Sequence, residues 1–374
     1  MLSSVRAHYV PILVTKRGEL GAINDLPPET KDRFTPLFVA HPVDWNYETD
    51  APAKSVVEHV RGLGQKLARV FESRRAYFDP ALLVEDAEWE EAQSHPLVTV
   101  IDEAADNGLQ LVPVVAPGRH PSYNQALTQV HQSRGLGVCV RLSPIHWPAN
   151  PPAISELEKL LADLSLEPGQ VDLVLDAGGD VENEAVRALA FAALSNLPFA
   201  QDWRSLVLSG GPFPKDLSAF SRNTVSRIPR LEWDLWRDIE NEARIEGWRL
   251  PDFGDYGVAH PDPRVMVDPR FLSISAAIRY TASSHWLAAK GELFKGRGGS
   301  GSGGDAIVPV AQMICEASEY CGPSYSVGDA WISDVAHGLT SGGNPEKWRR
   351  IATNHHLVFV TETLANSGET SVLT

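Results

Sequence analysis

Short runs of β-branched and apolar residues alternate along the chain with stretches whose apolar positions recur at helical spacing. That switch of period predicts strand followed by helix, repeated. The predicted strands are Tyr9–Thr15, Phe34–Ala40, Ala76–Asp79, Leu109–Val115, Gly137–Leu142, Val171–Leu175, Ser205–Ser209 and Phe253–Val258. Helices are expected over Glu19–Arg33, Lys54–Phe71, Leu97–Asn107, Tyr123–Arg134, Ile154–Leu164, Asn183–Ser195 and Leu231–Ile245. In Lys54–Phe71 the apolar stripe is Val56, Val57, Val60, Leu63, Leu67 and Val70. Gly108 supplies a C-cap after the third helix. Val171–Leu175 is almost wholly apolar, as suits a strand buried on both faces. Eight such units in roughly the first 260 residues predict a (β/α)8 TIM-like barrel. An open doubly wound sheet is the alternative, but no G-x-G-x-x-G follows the first strand.

Residues 261–374 then form a C-terminal α+β extension packed on the barrel of residues 1–260. A hairpin of Phe271–Tyr280 and His285–Lys290 opens it, and a helix is expected over Val308–Ala317. A last helix over Lys347–Leu364 is expected to be interrupted by the strand-like Leu357-Val358-Phe359-Val360. Between hairpin and helices, Gly296–Gly304 (GRGGSGSGG) reads as a surface linker, since no Gly-Lys-Ser/Thr phosphate-loop ending follows.

Composition narrows the function classes. With 374 residues and 43% hydrophobic positions the chain can bury a sizeable core. No run reaches the roughly 18 apolar residues of a membrane span. The start lacks the order of a secretory signal, and Cys139, Cys315 and Cys321 form no disulfide framework, so a cytoplasmic protein is expected. The formal charge of −15 argues against broad nucleic-acid binding. The densest basic groups, Arg74-Arg75 and Lys347 with Arg349 and Arg350, are no more than an ordinary solvated helix face carries. Cys139 lies mid-strand and reads as a core residue. Trp233 and Trp236 share a helix face and suggest packing.

A parallel barrel works at the C-terminal ends of its strands. Ionisable residues fall there: Lys16, Asp79, Arg141, Asp176 and Asp255, with Tyr256 and His260 close behind. Ser209, Gly210 and Gly211 end the seventh strand, where glycine lets backbone N–H groups approach an anion. Two readings follow from the same residues. The charges form a closed set of ion pairs with no substrate, or they line a pocket in which cations hold an anion and carboxylates act as base or Mg²⁺ ligands. No H-E-x-x-H, C-x-x-C or EF-hand spacing supports a dedicated metal site, and no G-x-S-x-G a hydrolase triad. His355 and His356, being adjacent, point to different faces of any regular element.

Several strings together carry a resemblance: Tyr9-Val10-Pro11-Ile12-Leu13 with Lys16 and Gly18-Glu19, Thr35-Pro36-Leu37, and Phe253-Gly254-Asp255-Tyr256 with His260-Pro261. Ile278-Arg279-Tyr280 with Trp286 and Lys290-Gly291 continues it, as do Trp348 and Thr353-Asn354-His355-His356-Leu357. In order and over almost the whole chain, these resemble the phage and bacterial beta family proteins. The resemblance implies no settled activity. It implies a setting of phage–host conflict or antiviral defence, and it adds Glu19, Arg279, Tyr280, Lys290 and the Asn354-His355-His356 group to the candidate pocket. Relatives often carry a Glu near the end of the second strand; Thr35-Pro36-Leu37-Phe38-Val39 leaves that carboxylate out.

The expectation is a mouth where Lys16, Glu19, Arg141, Ser209, Gly210, Gly211, Tyr256, Arg279, Tyr280 and Lys290 bind a phosphate-bearing or anionic small molecule or a nucleotide end. Asp79, Asp176, Asp255, His260 and His355 would supply acid–base groups, making any enzyme a hydrolase of phosphate esters or nucleotides. The alternative is a non-catalytic interaction or sensor module with a protein partner. On the first reading Asp255→Asn abolishes ligand binding and leaves melting nearly unchanged.

Overall fold

Each barrel strand is a short run of aliphatic and aromatic residues buried on both faces, with the lumen on one side and helices on the other. A computed structural model describes residues 8–83, 95–263, 271–296 and 300–367; residues 297–299 of the glycine-rich stretch lie outside the described set. The chain runs β1 (Tyr9–Val14), α1 (Arg17–Asn24), α2 (Pro28–Lys31), β2 (Leu37–Val39), β3 (Trp45–Asn46), β4 (Ala51–Pro52), α3 (Val56–Val60) and α4 (Leu63–Phe71). It continues through β5 (Arg75–Asp79), α5 (Pro96–Asp106), β6 (Gln110–Val115), α6 (Pro121–Arg134), β7 (Val138–Leu142), α7 (Pro151–Asp163), β8 (Val171–Asp176) and α8 (Glu184–Ser195). After β9 (Ser205–Gly210) come β10 (Thr224–Pro229), α9 (Leu231–Glu246) and β11 (Asp252–Asp255). The C-terminal part holds β12 (Ile274–Thr281), β13 (His285–Lys295), α10 (Val308–Cys315), α11 (Val327–Ala336) and α12 (Pro345–Ser367).

The strands β1, β2, β5, β6, β7, β8, β9 and β11 pair in parallel and close into a barrel, β11 returning to β1. This is the (β/α)8 architecture. Val10, Ile12, Tyr77, Val112, Cys139, Val174 and Val207 fill the lumen. The larger core lies between strands and helices, where Trp233 and Trp236 pack on Phe253.

Several elements differ from the sequence expectation, each for a local reason. Pro27-Pro28 divides the first helix into α1 and α2. Gly62, at φ +74°, divides the second, and Glu103 accepts the N–H groups of Gly62 and Gly64 at 2.9 and 3.1 Å. At Gly64 a Cβ would stand 2.1 Å from the Val100 carbonyl oxygen, so only glycine lets α4 approach α5. The strand-like Leu357–Val360 is helical within an unbroken α12. A buried apolar run does not distinguish helix from strand by period. β10 was not expected. It pairs antiparallel with β13, from Thr224 opposite Lys290 to Pro229 opposite His285. The C-terminal sheet is thus β10-β13-β12, and it encloses a second core with Trp286, Ile278, Val310 and Ile332.

Among the described residues no helix lies between β11 and β12. α12 returns from the extension to pack on α1 and β1, filling the eighth helical position of the barrel. Among the described residues, no helix is long and apolar enough to cross a membrane.

Candidate functional site

Side chains two apart on a strand share a face. Two residues beyond the lumen positions Tyr77, Cys139, Val174 and Val207 stand Asp79, Arg141, Asp176 and Ser209, so these four also point into the lumen at its C-terminal end. Arg141 bridges them. Its Nη1 donates to Asp79 at 2.7 Å, its Nε to Asp176 at 2.8 Å, and its Nη2 to the Tyr256 hydroxyl at 2.6 Å. Tyr256 in turn donates to Asp176 at 2.6 Å and Ser209 to Asp176 at 3.1 Å. Arg119 adds a second guanidinium to Asp79 at 2.9 Å. Burial alone would raise the Asp79 carboxyl, but Arg119 and Arg141 outweigh it and hold it below its ordinary range. A matching plug closes the other end of the lumen, where Asp172 binds Arg75 and Arg204, each at 2.6 Å.

Strand parity sends Asp255 the other way. It is fully buried outside the lumen, where Tyr9 donates to it at 2.7 Å and the Gly257 N–H at 2.9 Å, and His356 lies 2.9 Å away. His356 also meets the Thr281 hydroxyl at 2.8 Å. His355 faces elsewhere, against Asp329 at 2.8 Å and the Thr281 carbonyl at 2.9 Å. Tyr280 donates to the same Asp329 at 2.7 Å. Lys290 donates to the carbonyls of Leu217 and Phe220 at 2.8 and 2.7 Å. The structure therefore separates Asp255, His355, Tyr280 and Lys290 from the mouth. Asp255, through His356, and Lys290 fasten the extension to the barrel, while His355 and Tyr280 bind Asp329 within the extension, so Asp255→Asn is expected to act on stability, the reverse of the sequence expectation.

Gly210 and Gly211 are likewise packing positions. A Cβ on Gly210 would stand 2.5 Å from Val181 and one on Gly211 3.0 Å from Tyr256. The Gly211 N–H is already given to the Gly178 carbonyl at 2.8 Å. A phosphate cradle needs free N–H groups, and this one is occupied.

The cavity lies beside the lumen, not over it. A cleft of about 1120 Å³ opens between the β1–α1 turn, the segment from β2 to α4, the loops after β9 and β11, β12 and α12. Lys16, Glu19, His260 and Arg279 line it; Asp79, Arg141, Asp176 and Tyr256 do not. Among the described residues its lining carries eight lysines and arginines against five carboxylates, with Arg17 paired to Glu346 and Lys215 to Asp262, whereas the whole chain has 33 basic against 48 acidic residues. On one wall Arg279 and Arg349 both donate to the Val258 carbonyl, at 2.6 and 2.8 Å. The Arg279 guanidinium also sits 4.7 Å over the Phe213 ring. The nearest ion-pair contact, Arg349 to Glu19, is 3.7 Å, and the other Glu19 oxygen is buried without a hydrogen bond. Lys16 has no hydrogen-bond or ion-pair partner among the described residues. Burial, then the Arg349 charge, pushes Arg279 well below the ordinary arginine range. Burial likewise lowers Arg349 and Lys16, the latter partly restored by Glu19. His41 is pushed down to about 4 by burial and then by Lys16, so it is neutral at pH 7. His59 donates through Nε2–H to the His41 carbonyl, 2.6 Å away, and its Nδ1 is buried without a partner. His260 is turned by its own loop, its Nδ1 accepting the Asp262 N–H at 3.0 Å.

On this wall the Lys16 ammonium and the Arg279 guanidinium have no carboxylate within ion-pair distance among the described residues. No group of three or more His, Cys, Asp or Glu among the described residues gathers to hold a metal ion. The rim aspartates considered for Mg²⁺ are divided, Asp79 and Asp176 by Arg141 and Asp255 by strand parity. Sequence reasoning missed Arg119, His41, Arg349 and the cations at Lys54, Arg61, Lys66 and Lys215. Arg349 had a signal, since it follows Trp348 in a family-like string. Its basic cluster does not form one solvated face: Arg349 turns into the cleft, Arg350 pairs with Asp25, and Lys347 lies 5.6 Å over Trp331.

A family model described as Beta protein matches residues 9–362. Among curated proteins none matches the chain.

Proposed function

The chain belongs to the Beta protein family, and we propose that its cleft binds an anionic ligand bearing a phosphate or a group of similar charge and shape. One observation carries the reading. In a protein of net charge −15, Arg279, Arg349 and Lys16 converge on a cleft wall where, among the described residues, no carboxylate comes closer than the 3.7 Å of Glu19 to Arg349, and Asp44 and Asp216 act on Lys16 and Arg279 from beyond ion-pair distance. A half-buried guanidinium without a carboxylate is costly, and an anion accepting its free N–H groups offsets that cost. The planar fork of arginine suits a phosphoryl group, which takes two N–H donors at once.

Binding is favoured over hydrolysis by where the carboxylates lie. Asp79 and Asp176 are held by Arg141 and lie outside the cleft lining, so neither is a free base for a ligand there. That saturation supports the second reading, a sensor or interaction module whose anion signals to a protein partner. A setting in phage–host conflict belongs to that second reading and has no residue in the cleft arguing for it.

Titration calorimetry with orthophosphate at low ionic strength tests the proposal. Arg279→Met is expected to weaken binding about tenfold to a hundredfold, the worth of a charge-assisted contact of roughly 1.5–3 kcal/mol. Equal affinity in wild type and variant, or no orthophosphate binding at all, would remove the cleft from consideration.

A further inference from the structure

We propose that the ligand of this cleft is polyphosphorylated, with at least two linked phosphoryl groups, and is held by its charge with no nucleobase read. The inference rests on the anion-binding reading above and narrows it.

The cations of the cleft come from two separate parts of the chain. Lys16, Arg279 and Arg349 belong to the end of β1, to β12 and to α12. Lys54, Arg61 and Lys66 belong to the segment running into α3 and α4. None of these last three has an ion-pair partner among the described residues. All three are exposed to solvent, and all three line the same cleft. Their wall is also pinned. Gly62 turns the chain between α3 and α4, and Glu103 fixes both sides of that turn through the N–H groups of Gly62 and Gly64. Glu103, beside this turn, is therefore spent on backbone, while Glu58, engaged with Ser55, and Glu346, across the cleft, act on these cations only from beyond ion-pair distance. A single phosphate on the arginine wall leaves the second set of cations unanswered; a second linked phosphoryl group answers it.

Size and chemistry point the same way. The cleft, at about 1120 Å³, exceeds the roughly 300–1,000 Å³ of a pocket for a drug-sized molecule. Its apolar lining is aliphatic, from Val14, Leu63, Ala259, Leu272 and the prolines Pro263 and Pro345. Among the described residues no Phe, Tyr or Trp lines it, so the stacking platform that bases need is missing.

The experiment compares orthophosphate, pyrophosphate, tripolyphosphate and the four common ribonucleoside triphosphates by calorimetry on the full chain at low ionic strength. Tripolyphosphate is expected to bind about tenfold or more tightly than orthophosphate. The four nucleotides should match one another and should not exceed tripolyphosphate. The triple variant Lys54→Gln, Arg61→Gln, Lys66→Gln should bring the tripolyphosphate-to-orthophosphate ratio toward unity, with far-UV circular dichroism confirming the fold. Orthophosphate binding as tightly as tripolyphosphate in wild type overturns the inference and leaves anion binding standing. Strong preference for one base also overturns it, as does a triple variant with an unchanged ratio. No binding of either inorganic anion overturns the anion reading and this inference with it.

Discussion

In the lumen of the barrel one guanidinium serves two carboxylates and a phenol, while on the cleft wall two guanidiniums share one backbone carbonyl. The residue types are alike and the balance is opposite. Arg141 and Asp176 stand on the paired strands β7 and β8, and Asp79 on β5 across the single strand β6, so side chains pointing into one lumen meet and the charges cancel where they are made. Lys16, Arg279 and Arg349 reach the cleft from a turn, a strand of the extension and the last helix. No shared register supplies each with a carboxylate. The comparison teaches that buried charge by itself does not mark a site. The lumen has more fully buried carboxylates than the cleft, yet each of them is held by at least one arginine, and a ligand entering it would have to break existing ion pairs. On the cleft wall Lys16 and Arg279 have no carboxylate within ion-pair distance among the described residues.

The sharpest way to break the comparison is Arg141→Met, which leaves Asp79 and Asp176 without their shared cation. A loss of about 3–5 kcal/mol in denaturant-derived stability is expected, as for other broken buried pairs. A loss below about 1 kcal/mol would mean that water or Arg119 replaces Arg141 easily, and that the lumen is less saturated than its geometry indicates.

A smaller effect separates the regions by pH. The folded Asp79 carboxyl titrates below its ordinary 3.8. Its contribution is therefore complete above that value and disappears as pH falls through the lower folded value. Urea unfolding of wild type and Asp79→Asn should differ by about 2 kcal/mol at neutral pH, with the gap closing on acidification. A gap independent of pH would assign the effect to packing.

The smallest effect belongs to the cleft. A bound dianion favours protonated His41, whose folded value near 4 keeps it neutral when the cleft is empty. Binding then takes up a proton, and sulfate, whose own charge is constant in this range, should bind a few-fold more tightly as pH falls from about 6 toward that value. His41→Gln should flatten the slope; an equal slope in the variant would place the coupling elsewhere.

Much of the barrel was legible because its strands are short apolar runs between amphipathic helices. Of the site, Asp79, Arg141, Asp176 and Ser209 could be placed at strand ends, and their common side follows from counting by twos. Asp255 was misplaced because a one-residue change in where β11 meets the barrel reverses the face of every side chain on it. His355 and His356 were expected to diverge and do so, toward Asp329 and Asp255 respectively. What they meet depended on where α12 would dock. The cleft cations at Lys54, Arg61 and Lys66 looked like any exposed helix positions, since sequence spacing does not say what a helix faces across a gap.

From the amino-acid order alone came the alternation of strand and helix, the closing of eight units and the acidic overall balance, because these depend on neighbours along the chain. Only the folded molecule decided which charges cancel and which are left over. That depends on strand register, which pairs Tyr9 with Phe253, and on α12 returning to the side of β1, which brings His356 to Tyr9; both join residues far apart in the chain.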